Sequence, residues 1–278
     1  MLISIDPKIE TIRIIRFLKQ TFKEQDIDKA VIGLSGGVDS TTAYYLLKKA
    51  LPEKNIIGVS MPYFNMKSPF PEAKVISTKT IVDEILNVLR ESKDISSFPK
   101  WDIISRGNIM ARVRMIILFD LAKKNNALVV GTENKTEHLL GYFTRFGDAA
   151  SDIEPIVHLY KTQVYQLAKY LGVPEKIIRQ KPTAGLWPRQ TDEGEFGFTY
   201  EEADEVLHLY HDKKISPFGR KNAEKILALM KANAFKHEVP YTIDSSPKVV
   251  WRRFPYVSRN RDSLLCLSTS LQNKTRKN

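Results

Sequence analysis

Six consecutive residues near the start of the chain, Ser35-Gly36-Gly37-Val38-Asp39-Ser40, combine two hydroxyls, two glycines and a carboxylate in one turn. The apolar run beginning at Lys29 reads as a buried strand, and Thr41-Thr42-Ala43-Tyr44-Tyr45-Leu46-Leu47 carries helical spacing. A strand, a tight corner and a helix N-terminus make an anion site. The N–H groups of the first helical turn lack carbonyl partners, and glycines let the backbone come close to phosphate oxygens. Asp39 would repel an anion held there unless a cation stood between them, so its presence points to Mg²⁺.

Other chemistries compete for this corner. A phosphate loop of the Walker type ends in Gly-Lys-Ser/Thr, which is absent, and so is the dinucleotide fingerprint GxGxxG. Gly33-Leu34-Ser35-Gly36-Gly37 does fit the GxSxG of a nucleophile elbow, which would make Ser35 an acyl-transfer nucleophile. Against that, only 34 residues precede Ser35, leaving little room for the earlier strands and oxyanion loop of such a hydrolase. A glycine turn that merely joins a strand to a helix is the plainest alternative.

Further along, Ala127-Leu128-Val129-Val130-Gly131-Thr132 is the most strand-like run of the chain, and it leads into a helix start. Gly-Thr at the C-terminal end of a strand offers a hydroxyl and free N–H groups to a nucleotide. Arg112 and Arg114, at i and i+2, cannot share one helix face: either one turns inward or both are surface charges. Glu137, taken alone, is an exposed helical acid.

The elements that must position these residues follow from periodicity. Helices are predicted over about 7–24, from Asp39 to about Ala50, through Val75, Val82, Ile85 and Leu89, from Arg106 onward, up to Leu171, from Tyr200 to Tyr210 and from Gly219 to Asn233. Buried strands are expected near 29–33, 55–61 and 127–132. Strand, helix, strand implies parallel pairing and right-handed crossovers, with ligands beyond the strand C-termini. The fold class is therefore α/β: a doubly wound parallel sheet of about five strands flanked by helices. The Gly/Pro/Thr stretch 181–193 reads as a long loop, and such loops are commonly lids.

The 278 residues suffice for one large α/β domain. No run spans a bilayer and residues 1–6 lack the features of a signal peptide, so a cytoplasmic protein with no membrane partner is expected. The single cysteine, Cys266, rules out an intrachain disulfide and a cysteine-based zinc cluster. The excess of 43 basic over 32 acidic residues, +11, is concentrated toward the C-terminus, and it suits nucleic acid or anionic nucleotides equally. No nucleic-acid-binding motif accompanies it, which favours small anions over nucleic acid.

Taken together, the corner resembles the Ser-Gly-Gly-x-Asp-Ser pyrophosphate loop of the ATP-pyrophosphatase (PP-loop) enzymes. Later segments narrow the resemblance to NAD synthetase: Gly107-Asn108-Ile109-Met110-Ala111-Arg112-Val113-Arg114-Met115, Gly131-Thr132 with Glu137, Gly141-Tyr142-Phe143-Thr144-Arg145-Phe146-Gly147-Asp148, and Lys181-Pro182-Thr183-Ala184. Arg145 and Ala149 stand where lysine and glycine are usual, and Lys236-His237 reverses the family's His-Lys order. The likeness spans about residues 30–240, which implies a synthetase domain over 1–240 and a basic C-terminal extension, helical and irregular, over 241–278.

This resemblance implies an ATP- and Mg²⁺-dependent ligase. It amidates nicotinic acid adenine dinucleotide (deamido-NAD) with ammonia through an acyl-adenylate, releasing AMP and pyrophosphate. It assigns ATP to Gly33, Leu34, Ser35, Gly36, Gly37, Val38, Asp39, Ser40, Thr132, Lys161 and Thr183, and Mg²⁺ to Asp39 and Glu137. Deamido-NAD falls to Arg112, Arg145, Asp152, Lys236 and His237, and Asp148 and Lys161 take catalytic roles. A homodimer is implied. Free ammonia is the expected nitrogen source, since nothing like a glutaminase domain precedes residue 30, and a separate glutaminase subunit is an open possibility. The competing readings are another adenylating enzyme of the PP-loop group, GMP-synthetase-like or tRNA-modifying, and a nucleotide-binding module without chemistry.

Overall fold

Strand β1 (Lys29–Gly33) lies inside the sheet because its residues are apolar on both faces. In the computed structural model, which describes residues 3–64, 68, 70–91, 102–187, 189–238 and 240, it pairs in parallel with β2 (Ile56–Ser60) on one side and β4 (Ala127–Val130) on the other. Two-residue β3 (Lys74–Val75) extends the sheet beyond β2, giving the order β3-β2-β1-β4.

Alternation along β1 sorts its side chains between two layers. Ala30 and Ile32 pack with α1 (Pro7–Gln25), α2 (Val38–Ala50) and α6 (Lys161–Leu171). Val31 faces the other way, toward Ala122 of α4 (Asp102–Asn125), together with Val59 and Val129. Helix α3 (Lys79–Glu91) packs on α4 through Val82 and Val113. A second core, around Leu140, Tyr160, Phe196, Tyr200 and Ile226, joins α5 (Lys135–Leu140) to α8 (Asp192–Phe196), α9 (Tyr200–Leu207) and α10 (Ala223–Asn233). Short α7 (Glu175–Ile178) follows α6.

Two expectations need correction. About five strands were expected, and the sheet has four among the described residues. Beyond β4 the described residues add only the single parallel bridge Val130 to Ile153. There the Asp152 carboxylate, rather than a further ladder residue, accepts the Val129 N–H at 2.8 Å, and Pro155 follows within three residues. Val75, expected in a helix, lies in β3; the helix starts four residues later, after Thr78 N–H reaches Pro62 O at 3.0 Å.

Residues Met1–His237 form one compact unit. The extension over 241–278, with Cys266, lies outside the described residues. No helix among the described residues is long and apolar enough to cross a membrane.

Candidate active site

The chain leaves β1 to build β2 on one side, then returns past β1 to build β4 on the other. The strand order therefore reverses between β1 and β4. Ligands of open parallel sheets bind at such a reversal, beyond the strand C-termini. The corner after β1 and the segment after β4 meet there.

Gly36 adopts φ 85°, a left-handed conformation that folds the corner, and Gly37 caps α2 with extended backbone. Gly37 O accepts the Thr41 N–H at 3.1 Å and the Thr41 hydroxyl at 2.7 Å. The N–H groups of Val38, Asp39 and Ser40 are left at the helix mouth, beyond the reach of any helical carbonyl. Ser35 Oγ lies 2.9 Å from Ser40 Oγ and accepts the Gly37 N–H at 3.2 Å. The partners of Ser35 are thus another hydroxyl and a backbone amide, with no histidine base among them, so the arrangement is that of a cradle and not of a charge-activated nucleophile.

Asp39, on the first turn of α2, meets two residues far away in sequence. Lys161, the first residue of α6, places Nζ 2.6 Å from Asp39 Oδ2 and 2.9 Å from Glu137 Oε1, with a side chain only 3% exposed. Asn134 donates to Asp39 Oδ1 at 3.0 Å and, through its own Oδ1, caps the Glu137 N–H at 3.0 Å. One side chain thereby fixes both the second acid's helix and the first acid's rotamer. Thr136 Oγ1 accepts the Lys161 N–H at 2.9 Å and donates to Asp204, which accepts the Thr162 N–H at 2.9 Å, so the lysine's backbone is held as firmly as its head.

Electrostatics follow from this geometry. Burial works against the Lys161 charge, but Asp39 and Glu137 outweigh it and hold the ammonium well above the ordinary lysine pKa. Burial raises the Glu137 carboxyl, with Lys161 opposing and Asp39 reinforcing the shift. Tyr200 completes the wall: its ring lies 4.8 Å from Lys161 Nζ, and its hydroxyl reaches Asp192 Oδ2 at 2.8 Å and Glu137 Oε1 at 3.3 Å. Neither Tyr200 nor Asp192 was singled out from the sequence. Thr199 with Glu202 is a readable capping box, but it marks only where α9 starts and not where it docks.

The remaining predicted residues fall into two groups. Thr132 stands just past β4, and Thr183 sits exposed in the 181–191 loop, its Oγ1 accepting the Gly185 N–H at 3.0 Å. Asp148 Oδ1 accepts the Thr144 N–H at 2.9 Å, and Arg145 lies over the Phe146 and Phe235 rings. Of the paired arginines, Arg114 turns inward, with Nε 3.2 Å from Met61 O, while exposed Arg112 reaches Arg145 O at 3.3 Å. Burial lowers the Arg114 pKa and Asp148 opposes that shift.

Two assigned residues spend their charge on backbone. Asp152 holds Val129, and Lys236 Nζ donates to Gly141 O at 2.7 Å and Phe143 O at 3.0 Å. His237 packs against the His138 and Phe143 rings, with centroids 4.5 and 5.3 Å away. Glu133, next to Thr132, was also missed: its side chain is 10% exposed and its Oε1 is buried without a hydrogen-bond partner.

A parallel α/β sheet with a backbone anion cradle at its strand reversal, and an acid pair bridged by an ammonium beside it, defines a nucleotide-handling enzyme of phosphate chemistry. The family model for NAD synthase matches residues 10–240, and the chain belongs to that family, whose members are ligases. It is 42% identical over 246 residues to the NH(3)-dependent NAD(+) synthetase of Fusobacterium nucleatum, covering 82% of this chain and 92% of the relative. Among solved structures, an NMN synthetase from Francisella tularensis superposes with TM-score 0.72 at 32% identity, covering 87% of this chain and 100% of the other. An NH3-dependent NAD synthetase from Campylobacter jejuni gives TM-score 0.70 at 30% identity, covering 86% and 100%.

Proposed function

We propose that the protein converts deamido-NAD to NAD with ATP and ammonia. The observation that carries this reading is the Lys161 ammonium wedged between Asp39 of the cradle and Glu137 beyond β4. A cation and two anions beside the free N–H groups of the corner support a triphosphate site there. The substrate carboxylate attacks the α-phosphorus of ATP, and pyrophosphate leaves with the electrons of the broken P–O bond. Ammonia then adds to the acyl carbon, loses a proton and expels AMP. The chain's contribution is to hold two anions in line and neutralise developing charge. The amides of 36–40 and Lys161 receive pyrophosphate, Thr132 and Thr183 hold ATP, and Asp148 orients ammonia.

Mg²⁺ fits the donor set. Asp39 and Glu137, when ionised, flank Lys161 with one negative charge in excess. No three His, Cys, Asp or Glu side chains cluster as a metal site among the described residues. A carboxylate pair completed by phosphate oxygens and water suits Mg²⁺, which keeps much of its hydration. When bound, the ion neutralises charge on the leaving pyrophosphate. Asp39 and Glu137 would hold it, with Lys161 turning to the phosphates.

Arg112, Arg145 and His237 are the dinucleotide contacts in this reading. Asp152 and Lys236 contribute by shaping the backbone at 129 and at 141–143. The protein acts as a homodimer on free ammonia, with any glutaminase supplied by a separate subunit. The likeness to an NMN synthetase supports a second reading, in which nicotinic acid mononucleotide is the carboxylate substrate. Purified protein is supplied with ATP, Mg²⁺, ammonium and each acid in turn. NAD and AMP formed in equal amounts from deamido-NAD is the expected result. NMN formed faster than NAD would select the second reading, and AMP from neither acid would overturn both.

A further inference from the structure

Asp192 has no role in the reaction just described, yet it is 3% exposed and holds three donors. Its backbone N–H donates to Pro182 O at 3.0 Å and its Oδ1 accepts the Ala184 N–H at 3.1 Å, which clips the two ends of the 182–192 loop together. The Tyr142 hydroxyl also donates to Oδ1, at 3.2 Å. Oδ2 takes the Tyr200 hydroxyl at 2.8 Å, and that hydroxyl lies 3.3 Å from Glu137 Oε1. A phenol has one proton to give. It can serve the carboxylate that fixes the loop or the carboxylate that faces the phosphate site, and the distances show it serving the loop.

We infer that Tyr200 and Asp192 are positioning residues that tie the loop carrying Thr183 to the occupancy of the phosphate site. This rests on the assignment of Glu137 and Lys161 to the nucleotide site. As Lys161 turns toward a triphosphate and Glu137 toward Mg²⁺, Glu137 Oε1 ceases to compete for the Tyr200 proton. Asp192 then holds that donor undivided, and with it a firmer grip on Ala184, the neighbour of Thr183. The loop has a second fixed point far from the acids. A Cβ on Gly107 of α4 would lie 2.9 Å from Leu186 Cδ1, so the loop already rests closely against α4. The phosphate site and the loop thus share one hydrogen-bonded joint.

Trypsin reads the loop directly, because Arg189 is exposed within it. With wild-type protein, ATP and Mg²⁺ should slow cleavage at Arg189 by about tenfold, the worth of one hydrogen bond to a charged group. Tyr200→Phe keeps the buried ring. It should bind ATP within about threefold of wild type, since only the hydroxyl contact is lost, yet lose the ATP-dependent change in cleavage and show a lowered kcat. An Asp192→Asn variant provides the same reading through the other end of the joint. A merely structural clip would alter basal cleavage and leave the response to ATP intact, so a wild-type response in both variants overturns the proposal. Equal cleavage of the wild type with and without ATP overturns it too. Wild-type protein that shows the cleavage response but makes neither NAD nor NMN would sink the reaction assignment and not this coupling.

Discussion

In the proposed reading the corner after β1 and the acid network beyond β4 serve the same anion, but they are built in opposite ways. The corner is local: its hydroxyls, glycines and amides come from residues 35–41, and each bond closes within six residues. The network is assembled across 122 residues from Asp39 to Lys161, 24 from Glu137 to Lys161 and 63 from Glu137 to Tyr200. A local cradle tolerates the loss of one hydroxyl because its backbone amides remain. A network of buried charges does not, because removing one partner strands the others.

The sharpest break in that comparison is Lys161→Met. It leaves the half-buried Asp39 and Glu137 facing each other with no ammonium between them. Truncating one partner of a buried ionic cluster costs about 3–5 kcal/mol, read as the loss in denaturant midpoint. Turnover should fall by about 10²–10³-fold, as expected when a preorganised charge on the leaving group is removed. Raising Mg²⁺ should restore part of the stability, since a divalent ion can take the vacated place between the acids.

Next in size is the arginine pair. Arg114→Ala removes a half-buried guanidinium and leaves Met61 O without its donor, a cost of about 1–3 kcal/mol in unfolding free energy. Arg112→Ala, at an exposed position, should leave stability within about 0.5 kcal/mol of wild type. Its effect should be a raised KM for deamido-NAD. If the two variants exchanged these signatures, the dinucleotide role would belong to the inward arginine.

These contrasts also mark how far the sequence could be read. The cradle was legible because glycine, hydroxyl and helix-start chemistry are contiguous, and β1, β2, β4 and the helices between them followed from period alone. Which arginine turned inward was not legible, because i and i+2 spacing separates faces without saying which one meets Met61. Tyr200 and Asp192 left no pattern: one lies in a capping-box helix, the other at the end of a loop, and only the docking of α9 on α5 brings them to Glu137. The strand count was overestimated because about five were expected where only three runs had been located; past β4 the chain adds one bridge, at Ile153, where the Asp152 carboxylate takes the Val129 N–H.

Ser35→Ala tests the local side of the comparison. The Ser35 hydroxyl contacts Ser40 and one amide, and removing it leaves the amides of the corner in place. Loss of about tenfold in kcat/KM, the worth of one hydrogen bond to an anion, is expected in steady-state assays. Loss approaching the millionfold typical of a removed covalent nucleophile would revive the acyl-transfer alternative.

The smallest effect on turnover belongs to Glu133, which borders the network without joining it. Burial, and secondarily the Asp148 charge, push its carboxyl up to about 8 from 4.5. The folded state therefore retains a proton that the unfolded chain releases, and the stabilisation is complete below pH 4.5. It is lost as pH rises through about 8. Glu133→Gln replaces the carboxyl with a neutral group of the same shape, which cannot ionise. The wild type should lose on the order of ten degrees of melting temperature between pH 5 and pH 8.5 relative to the variant, at about 2–4 °C per kcal/mol for a chain of this size. The two curves should converge at low pH, where both side chains are neutral. His138 Nδ1 lies 3.3 Å from Glu133 Oε2 and would oppose the trend by favouring the carboxylate when protonated. Curves that diverge at low pH instead would show that the histidine contact, and not burial, governs this acid.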